Sequence, residues 1–321
     1  MISAMRLLTS HGSGPAKRLA GIVFACVGLL GAAVAAPGHP VKPLLWKIEG
    51  PGVAKPSYLF GTMHLGSEAL VTLHPAAEKA FTAATTVHTE TQLDAASQVA
   101  AAGVMTRGDG KTLTEVVGEE LAERLETELK AIHPELDLAP FEPLKTWVVA
   151  YSLPFLPEQM AGIKPLDLVL WERAVEAGKK TAGMQEIKDQ MEGFNALTEA
   201  EQSRFLATTL EYLARTRRDG EDPLKEAVEI YLSGDTGQID EVGSKWILDM
   251  SGGRDNPLAK KLLKRILNER DVIMADYIAR VLKKDPEGTH FFAAGSAHYT
   301  GKTGVRAHLE KKGYRITRIE R

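Results

Sequence analysis

The sequence predicts a mixed α/β fold, α+β in character, with a central sheet built from N- and C-terminal strands and surrounded by a mostly helical middle region. Segments rich in β-branched and aromatic residues cluster at the two ends of the 321-residue chain, as is typical of strands. The middle, about residues 112–284, carries apolar residues at helical spacing instead. One strand-like run near each end finishes on Gly, a small hydroxyl residue, any residue and His. We therefore expect the sheet to bring these two histidines together.

The N-terminal residues are typical of a secretory signal rather than of a folded element. Lys17 and Arg18 precede an apolar run over residues 19–34, which at about 16 residues is shorter than the ~20 that span a bilayer. The following small-x-small pattern, ending at Ala35, is a signal-peptidase site by pattern. The prediction is a signal peptide over residues 1–35, cleaved after about Ala35, and an exported protein that is periplasmic or extracellular. An uncleaved membrane anchor is the alternative.

Cys26 is the only cysteine. A lipoprotein would use it, but Phe24 stands where a lipobox has a small residue, and the apolar run continues beyond the cysteine. After cleavage the chain would have no thiol, so neither a disulfide nor thiolate chemistry is expected. Any metal site would be built from His, Asp, Glu and water, a donor set that favours ions such as Mn, Co or Zn.

Composition predicts one globular domain over residues 36–321, with two closely joined lobes as the alternative. The formal net charge is −3, and no basic patch is interleaved with aromatic residues, so nucleic acid is not an expected partner. No apolar stretch after residue 36 is long enough to span a membrane. The expected partner is a peptide or small-molecule substrate, and the oligomeric state stays open.

Strands dominate the first part of this domain. Residues 44–49 and 57–60 alternate as strands around a Gly/Pro turn, which predicts a β-hairpin. Pro75 suits the first position of a helix that continues to Ala84. Residues 85–91 are β-branched and alternating, which predicts a third strand.

Helices dominate the middle, and strands return at the C-terminal end. Thr198 and Glu201 form the pattern of a capping box, which marks a helix start. Predicted helices cover residues 112–133, 142–153, 165–177, 198–217, 223–250 (one or two helices), 257–284 and 304–312, and predicted strands cover 178–184, 290–294 and 314–319.

The candidate site combines His64 and His298, which end the two repeated motifs, with Glu90 at the end of the third strand. A carboxylate facing two neutral imidazoles could hold a divalent metal ion and leave room for water. Without metal, the same groups could act as general base and orienting acid. Glu90 could also be a solvated strand-end residue. The other histidines have no partner pattern and are expected to be structural or on the surface.

At these residues the chain resembles the TraB/GumN family, which includes the Tiki proteases and is related to erythromycin esterase and ChaN-like haem-binding proteins. The resemblance extends from about Leu45 to Ile319. The residues that carry it are Gly61 and His64, Gly295 and His298, Glu90, the run with Asp167, Leu170, Ala174, Gly178 and Lys179, the segment Glu269, Arg270 and Asp271, and the tail from Gly301 to Val305.

The resemblance implies a metal-dependent, peptidase-like activity with Mn or Co, or alternatively Zn, as the ion. His64 and His298 would be metal ligands, and Glu90 would be a third ligand or the general base. Arg270 would stabilise an oxyanion or hold Glu90, since its planar fork suits a carboxylate; a surface salt bridge is the alternative. The chain departs from the family pattern at two positions. Gln185 replaces an acidic residue, or Glu186 takes the place of that residue one position on, and Gln92 stands where the family often has an Asp.

Two other functions stay open at this stage. One is a non-catalytic protein that binds a small ligand, either a haem-like compound or a peptide; Tyr299, beside His298, could then serve as an axial ligand. The other is a metal-free hydrolase of esterase type with His64 or His298 as base. A chelator distinguishes this hydrolase from a metalloenzyme, because removing metal should abolish only the activity of the metalloenzyme.

Overall fold

The computed structural model describes residues 39–65, 70–162 and 164–320, in which six strands form one mixed sheet. The predicted signal peptide, residues 1–35, lies outside the described residues. The strands are β1 (Leu45–Glu49), β2 (Ser57–Thr62), β3 (Thr86–Thr91), β4 (Lys180–Gln185), β5 (His290–Gly295) and β6 (Arg315–Arg318). Their order across the sheet is β4-β3-β5-β2-β1-β6.

The sheet confirms the predicted α/β class. Strands β4, β3, β5 and β2 are parallel, while β1 is antiparallel to both β2 and β6. Every residue of β3 and β5 is buried, as expected for parallel strands that are covered on both faces. The prediction was incomplete in one respect. Strand β4 comes from the helical middle of the chain and forms one edge, so the sheet is not built from terminal strands alone.

Helices fill the remainder and match most predicted positions. The Thr198–Glu201 capping box is present, with side chain and backbone bonded in both directions. The helices are α1 (Pro75–Ala83), α2 (Ala95–Met105), α3 (Leu113–Val117), α4 (Glu119–Ile132), α5 (Thr146–Ser152), α6 (Leu156–Ala161), α7 (Leu166–Glu176), α8 (Ile187–Asn195), α9 (Glu199–Asp219), α10 (Pro223–Ser233), α11 (Thr236–Met250), α12 (Pro257–Leu263), α13 (Glu269–Lys284), α14 (Ser296–Thr300) and α15 (Val305–Lys311). Among the described residues, no helix is both long and apolar enough to cross a membrane.

Several helix predictions needed correction. The helix expected over residues 112–133 is broken at Gly118, whose φ of 82° is left-handed and ends α3 before α4 begins. The helix expected over residues 142–153 begins only at Thr146. A π-helical turn, Lys264–Asn268, joins α12 to α13. Helices α2, α6, α8 and α14 were not predicted.

Two hydrophobic clusters make up the core. One surrounds the sheet and includes Leu59 and Phe291. The other lies within the helical middle and includes Trp147 and Phe205. Partly buried side chains such as Trp246 pack against both clusters. The helical layer therefore covers the sheet without merging fully with it, which leaves room for a cavity between them.

Candidate active site

The three predicted site residues lie at the carboxyl edge of the parallel strands. Thr62, the last residue of β2, is paired in register with Gly295, the last residue of β5. His64 follows two residues beyond Thr62, and His298 follows three residues beyond Gly295 in α14. Glu90 is the next-to-last residue of β3, the neighbour of β5. Open α/β sheets hold their ligands at this edge.

An aspartate holds each histidine ring from behind. The Nδ1 of His64 lies 2.8 Å from Asp167 Oδ2, and the Nδ1 of His298 lies 2.7 Å from Asp271 Oδ1. Both rings therefore direct Nε2 toward Glu90, whose Oε1 is 3.1 Å from His64 and 3.9 Å from His298. Carboxylates on Nδ1 fix the tautomer and orientation of histidines whose Nε2 serves as a ligand or base.

The hydroxyl in the first motif has a clear role. Thr62 donates its hydroxyl to Asp167 Oδ1 at 2.7 Å, and the other oxygen of Asp167 receives the His64 ring. The buried carboxylate of Asp167, on helix α7, thereby connects the end of β2 to the His64 ring. Ser296, the equivalent residue of the second motif, instead accepts the Thr300 hydroxyl with its carbonyl oxygen.

The glycines of the two motifs let neighbouring side chains pack directly against the backbone, and they are not needed for an unusual turn. Gly295 has φ of −48°, which any residue can adopt. A Cβ atom added there would lie 2.9 Å from His64 Nε2 and 3.3 Å from Glu90 Oε1. A Cβ on Gly61 would meet the Cβ of Ser296 at 3.1 Å. Glycine is therefore needed at both strand ends because the site packs directly against the backbone.

Glu90 is a buried and fully paired carboxylate. Its Oε1 accepts the Gly295 N–H at 2.7 Å, and its Oε2 accepts the Arg270 guanidinium and the Gln190 amide, the latter at 3.0 Å. Burial alone would raise the pKa of Glu90, but Arg270 and His64 hold it well below its ordinary value. Glu90 is thus ionised near neutral pH and is a weak proton acceptor.

His64 is the accessible member of the group, with 44% of its side chain exposed where it lines the cavity. Burial acts to lower the pKa of His64, but the carboxylates of Asp167 and Glu90 outweigh it and raise that pKa well above its ordinary value. The site therefore attracts positive charge, as a proton or as another cation.

Arg270 holds Glu90 from the first turn of α13. Its Nε donates to Gln185 Oε1 at 3.3 Å, and its Nη1 donates to the carbonyl of Ile266 in the π-helical turn, at 3.4 Å. Among the described residues, the buried Nε2 of Gln185 has no hydrogen-bond partner. An acidic residue at this position would bind Arg270 without an unpaired donor, so the departure at Gln185 weakens the support of Arg270.

A cavity of about 350 Å³ opens onto these side chains. His64, Glu90, Arg270 and His298 line one part, and most of the remaining wall is apolar or aromatic. The size falls within the range of about 300–1,000 Å³ typical of small-molecule sites. The site is therefore accessible to a ligand at the meeting point of sheet and helical layer.

The chemistry of the donors fits a divalent ion, although no set is pre-arranged. Within residues 39–65, 70–162 and 164–320, no group of three or more His, Cys, Asp or Glu is positioned to hold a metal ion as it stands. The donor types nevertheless match, because two ring nitrogens with aspartates behind them face one carboxylate oxygen. Ligands about 2.1 Å from a common ion lie roughly 3.0–3.4 Å apart, close to the 3.1 Å between His64 and Glu90.

The structure thus brings together His64, Glu90, His298 and Arg270, as the sequence predicted. Sequence reasoning missed the supporting roles of Asp167 and Asp271, although both belong to the motifs that carry the family resemblance. Their spacing to the histidines gave no signal, because the contacts cross 103 and 27 residues.

Other candidate residues lie outside the site. Tyr299 is fully buried and donates its hydroxyl to the Phe292 carbonyl at 3.2 Å, which argues against a role as axial ligand. Gln92 is exposed and pairs with Asp94. His88 and His290, expected to be structural or on the surface, are in the core and 3.1 Å apart.

The chain belongs to the TraB/PrgY/gumN family, whose model matches residues 44–318. The match covers every strand of the sheet and all the side chains described above.

Among curated proteins, the chain is similar to the metalloprotease TIKI2 of Danio rerio, at 22% identity over 86% of this chain and 61% of that protein. It is also similar to a metalloprotease TIKI homolog of Amphimedon queenslandica, at 25% identity over 50% of this chain and 34% of that protein. The chain therefore spans less than two thirds of either relative. No solved structure matches significantly.

Proposed function

We propose that this protein is a metal-dependent hydrolase that acts on peptide bonds, with His64, His298 and Glu90 holding a divalent ion. One observation carries the proposal. Two histidines, each fixed by an aspartate on Nδ1, direct Nε2 toward the same oxygen of Glu90 beside an open cavity. The relatives named as metalloproteases support the same reading, although they are distant.

The charge of the cluster also supports a divalent cation. The carboxylates of Glu90, Asp167 and Asp271 face a single fixed cation, Arg270. With neutral histidines, two negative charges remain uncompensated in a largely buried site. Uncompensated charge in such a site costs free energy unless a cation neutralises it. The pKa of His64 is raised for the same reason, because the nearby carboxylates favour a positive charge on its ring.

In this proposal Glu90 is a ligand rather than the general base. Its pKa is held far below neutral by Arg270 and His64, after the opposing effect of burial, whereas a general base works best with a pKa near the operating pH. Arg270 holds Glu90 in place instead of contacting an oxyanion, because its Nη2 is already bonded to that carboxylate. A bound ion would polarise a substrate carbonyl and lower the pKa of bound water.

The donor set favours Mn, Co or Zn, since it contains imidazole and carboxylate but no sulfur. We further propose that the protein is exported after cleavage of residues 1–35 and that residues 36–321 act as one domain. Its substrate would then be a peptide in the periplasm or outside the cell.

Metal analysis of the purified full chain tests this function. Stoichiometric Mn, Co or Zn should copurify or rebind after dialysis, and His64→Ala or His298→Ala should each abolish that binding. His308→Ala is the matched control, because His308 lies on α15 away from the cavity. Chelation should stop hydrolysis of a peptide library and metal should restore it. Failure of the wild-type chain to bind any of the three ions would refute the metalloenzyme assignment.

A further inference from the structure

The cavity continues beyond the charged cluster along an aromatic wall. Tyr151 from α5, Phe155 from the turn that follows it, Phe194 from α8 and Trp246 from α11 all line it. Two of these residues belong to different hydrophobic clusters, since Phe155 packs with the sheet and Phe194 with the helical core. The wall is therefore formed where the two cores meet.

The four rings hold one another in place. The ring of Tyr151 lies 5.6 Å from that of Phe155, 5.2 Å from that of Phe194 and 6.5 Å from that of Trp246. Phe155 and Trp246 meet edge to face at 4.5 Å. Such contacts between aromatic rings fix their orientation, so this wall is a preformed surface rather than a set of mobile side chains.

Tyr151 connects this wall to the catalytic cluster. Tyr151 lines the same cavity as His64, Glu90, Asp167 and Arg270. A group bound against the wall would thus lie next to a group bound at the histidines.

The rest of the lining is mainly apolar. Leu224, Ile230, Ile239 and Val242 contribute to it. Lys245, which also lines the cavity, is paired with Asp249 at 2.5 Å and so does not present an isolated charge. A cavity of about 150 Å³ is enough for benzene, so about 350 Å³ can accept an aromatic side chain together with main chain beside the histidines.

We propose that this aromatic wall, formed by Tyr151, Phe155, Phe194 and Trp246, is a specificity subsite for a bulky apolar side chain of the peptide substrate, adjacent to the bond that is cleaved. The proposal rests on the proposed function for its reaction. The binding preference itself depends only on the shape and chemistry of the cavity and can be measured without turnover.

The test uses acetylated pentapeptide amides, Ala-Ala-X-Ala-Ala, in which X is Phe, Leu, Gly or Glu. Dissociation constants are measured by calorimetry with the full chain in chelator, where no metal-dependent cleavage occurs. The Phe and Leu peptides should bind about 10- to 100-fold more tightly than the Gly and Glu peptides, because only they bury a large apolar side chain. The same series with Mn gives the kcat/KM preference.

A filling variant and its control test the location. Val242→Phe places a ring in the cavity from α11 and should reduce the Phe-to-Gly preference at least about tenfold. Val175→Phe makes the same change at a side chain that is 55% exposed on α7, and it should leave the preference unchanged. If Val242→Phe fails to fold, the peptide series with the wild-type chain still tests whether the cavity prefers a bulky apolar side chain.

The outcomes separate this inference from the proposed function. Equal affinities across the series, a preference for Glu, or no detectable binding would each overturn the subsite. Hydrolysis without an apolar preference would overturn the subsite and leave the hydrolase assignment intact. An apolar preference that Val242→Phe removes, in a chain that binds no metal, would support the subsite and refute the metal-dependent hydrolase.

Discussion

Gly295→Ala should disrupt the site while adding only one methyl group. The new Cβ would lie 2.9 Å from His64 Nε2 and 3.3 Å from Glu90 Oε1, whereas carbon atoms pack at about 3.5–4.0 Å. His64 would have to move by roughly 0.5–1 Å, which removes its 3.1 Å contact with Glu90. A misplacement of about 1 Å can cost about 100-fold in rate. We expect a loss of that order in kcat/KM and a weaker dissociation constant for Mn by equilibrium dialysis.

Gly103→Ala is the matched control. Gly103 lies in helix α2, and a Cβ there would have no atom within 4 Å. Alanine is favoured over glycine in a helix by about 1 kcal/mol, so the melting temperature should stay level or rise. The reasoning about close approach is refuted if Gly295→Ala keeps wild-type Mn affinity and activity. Thermal unfolding of both variants separates a local effect at the site from a general loss of fold.

Three further predictions concern the buried charges. Asp271→Asn should weaken Mn binding about 10- to 100-fold in equilibrium dialysis, because it removes the carboxylate behind His298, a proposed ligand. Arg270→Met should lower the unfolding free energy in chelator by about 3–5 kcal/mol in urea titrations, because it leaves buried Glu90 without its cation. His88 is buried, and burial together with His290 lowers its pKa to about 3. As the pH falls, the unfolded chain takes up this proton first, so stability is full above about pH 6.5 and declines toward pH 3, by an amount on the order of 5 kcal/mol. His88→Asn should flatten that decline in pH-dependent melts.

Surface residues provide the controls. Asp276→Asn, on the same helix as Asp271 but 55% exposed and paired with Lys312, should not change Mn binding. Arg124→Met removes an exposed pair with Glu211 and should cost about 0–1 kcal/mol. If Asp276→Asn weakened Mn binding as much as Asp271→Asn, the role given to Asp271 would be contradicted. If Arg124→Met lowered the unfolding free energy as much as Arg270→Met, the role given to Arg270 would be contradicted. An unchanged pH slope in His88→Asn would contradict the assignment to His88.

The strand ends were predictable because local sequence determines them. Apolar and aromatic runs marked β2 and β5, and an alternating β-branched run marked β3. The repeated motif placed His64 and His298 just beyond the ends of β2 and β5. The order of the strands was not predictable in the same way. That β3 lies between β4 and β5 depends on helix packing over the whole chain, and β4 is a short segment within the helical region.

The contacts of Asp167 and Asp271 with the two histidines could not be predicted from the local sequence around each aspartate. Asp167 and Asp271 each lie in the first turn of a helix, where an acidic residue is common because it complements the helix dipole. Nothing local distinguishes them from such residues. Their function arises only when α7 and α13 pack against the strand ends, which is a tertiary event that the helical periodicity does not encode.

The same geometry bears on whether His64 could act as the base of a metal-free hydrolase. A histidine that acts as general base must be neutral at the working pH. The carboxylates of Asp167 and Glu90, acting against burial, raise the pKa of His64 well above its ordinary value, so without metal this ring carries a proton that it does not readily release. A divalent ion can replace that proton and satisfy the same carboxylates, and metal binding at such a ligand releases protons. A site that holds His64 in its charged form disfavours this ring as the base of a metal-free hydrolase, whereas a metal ion could take the place of the proton.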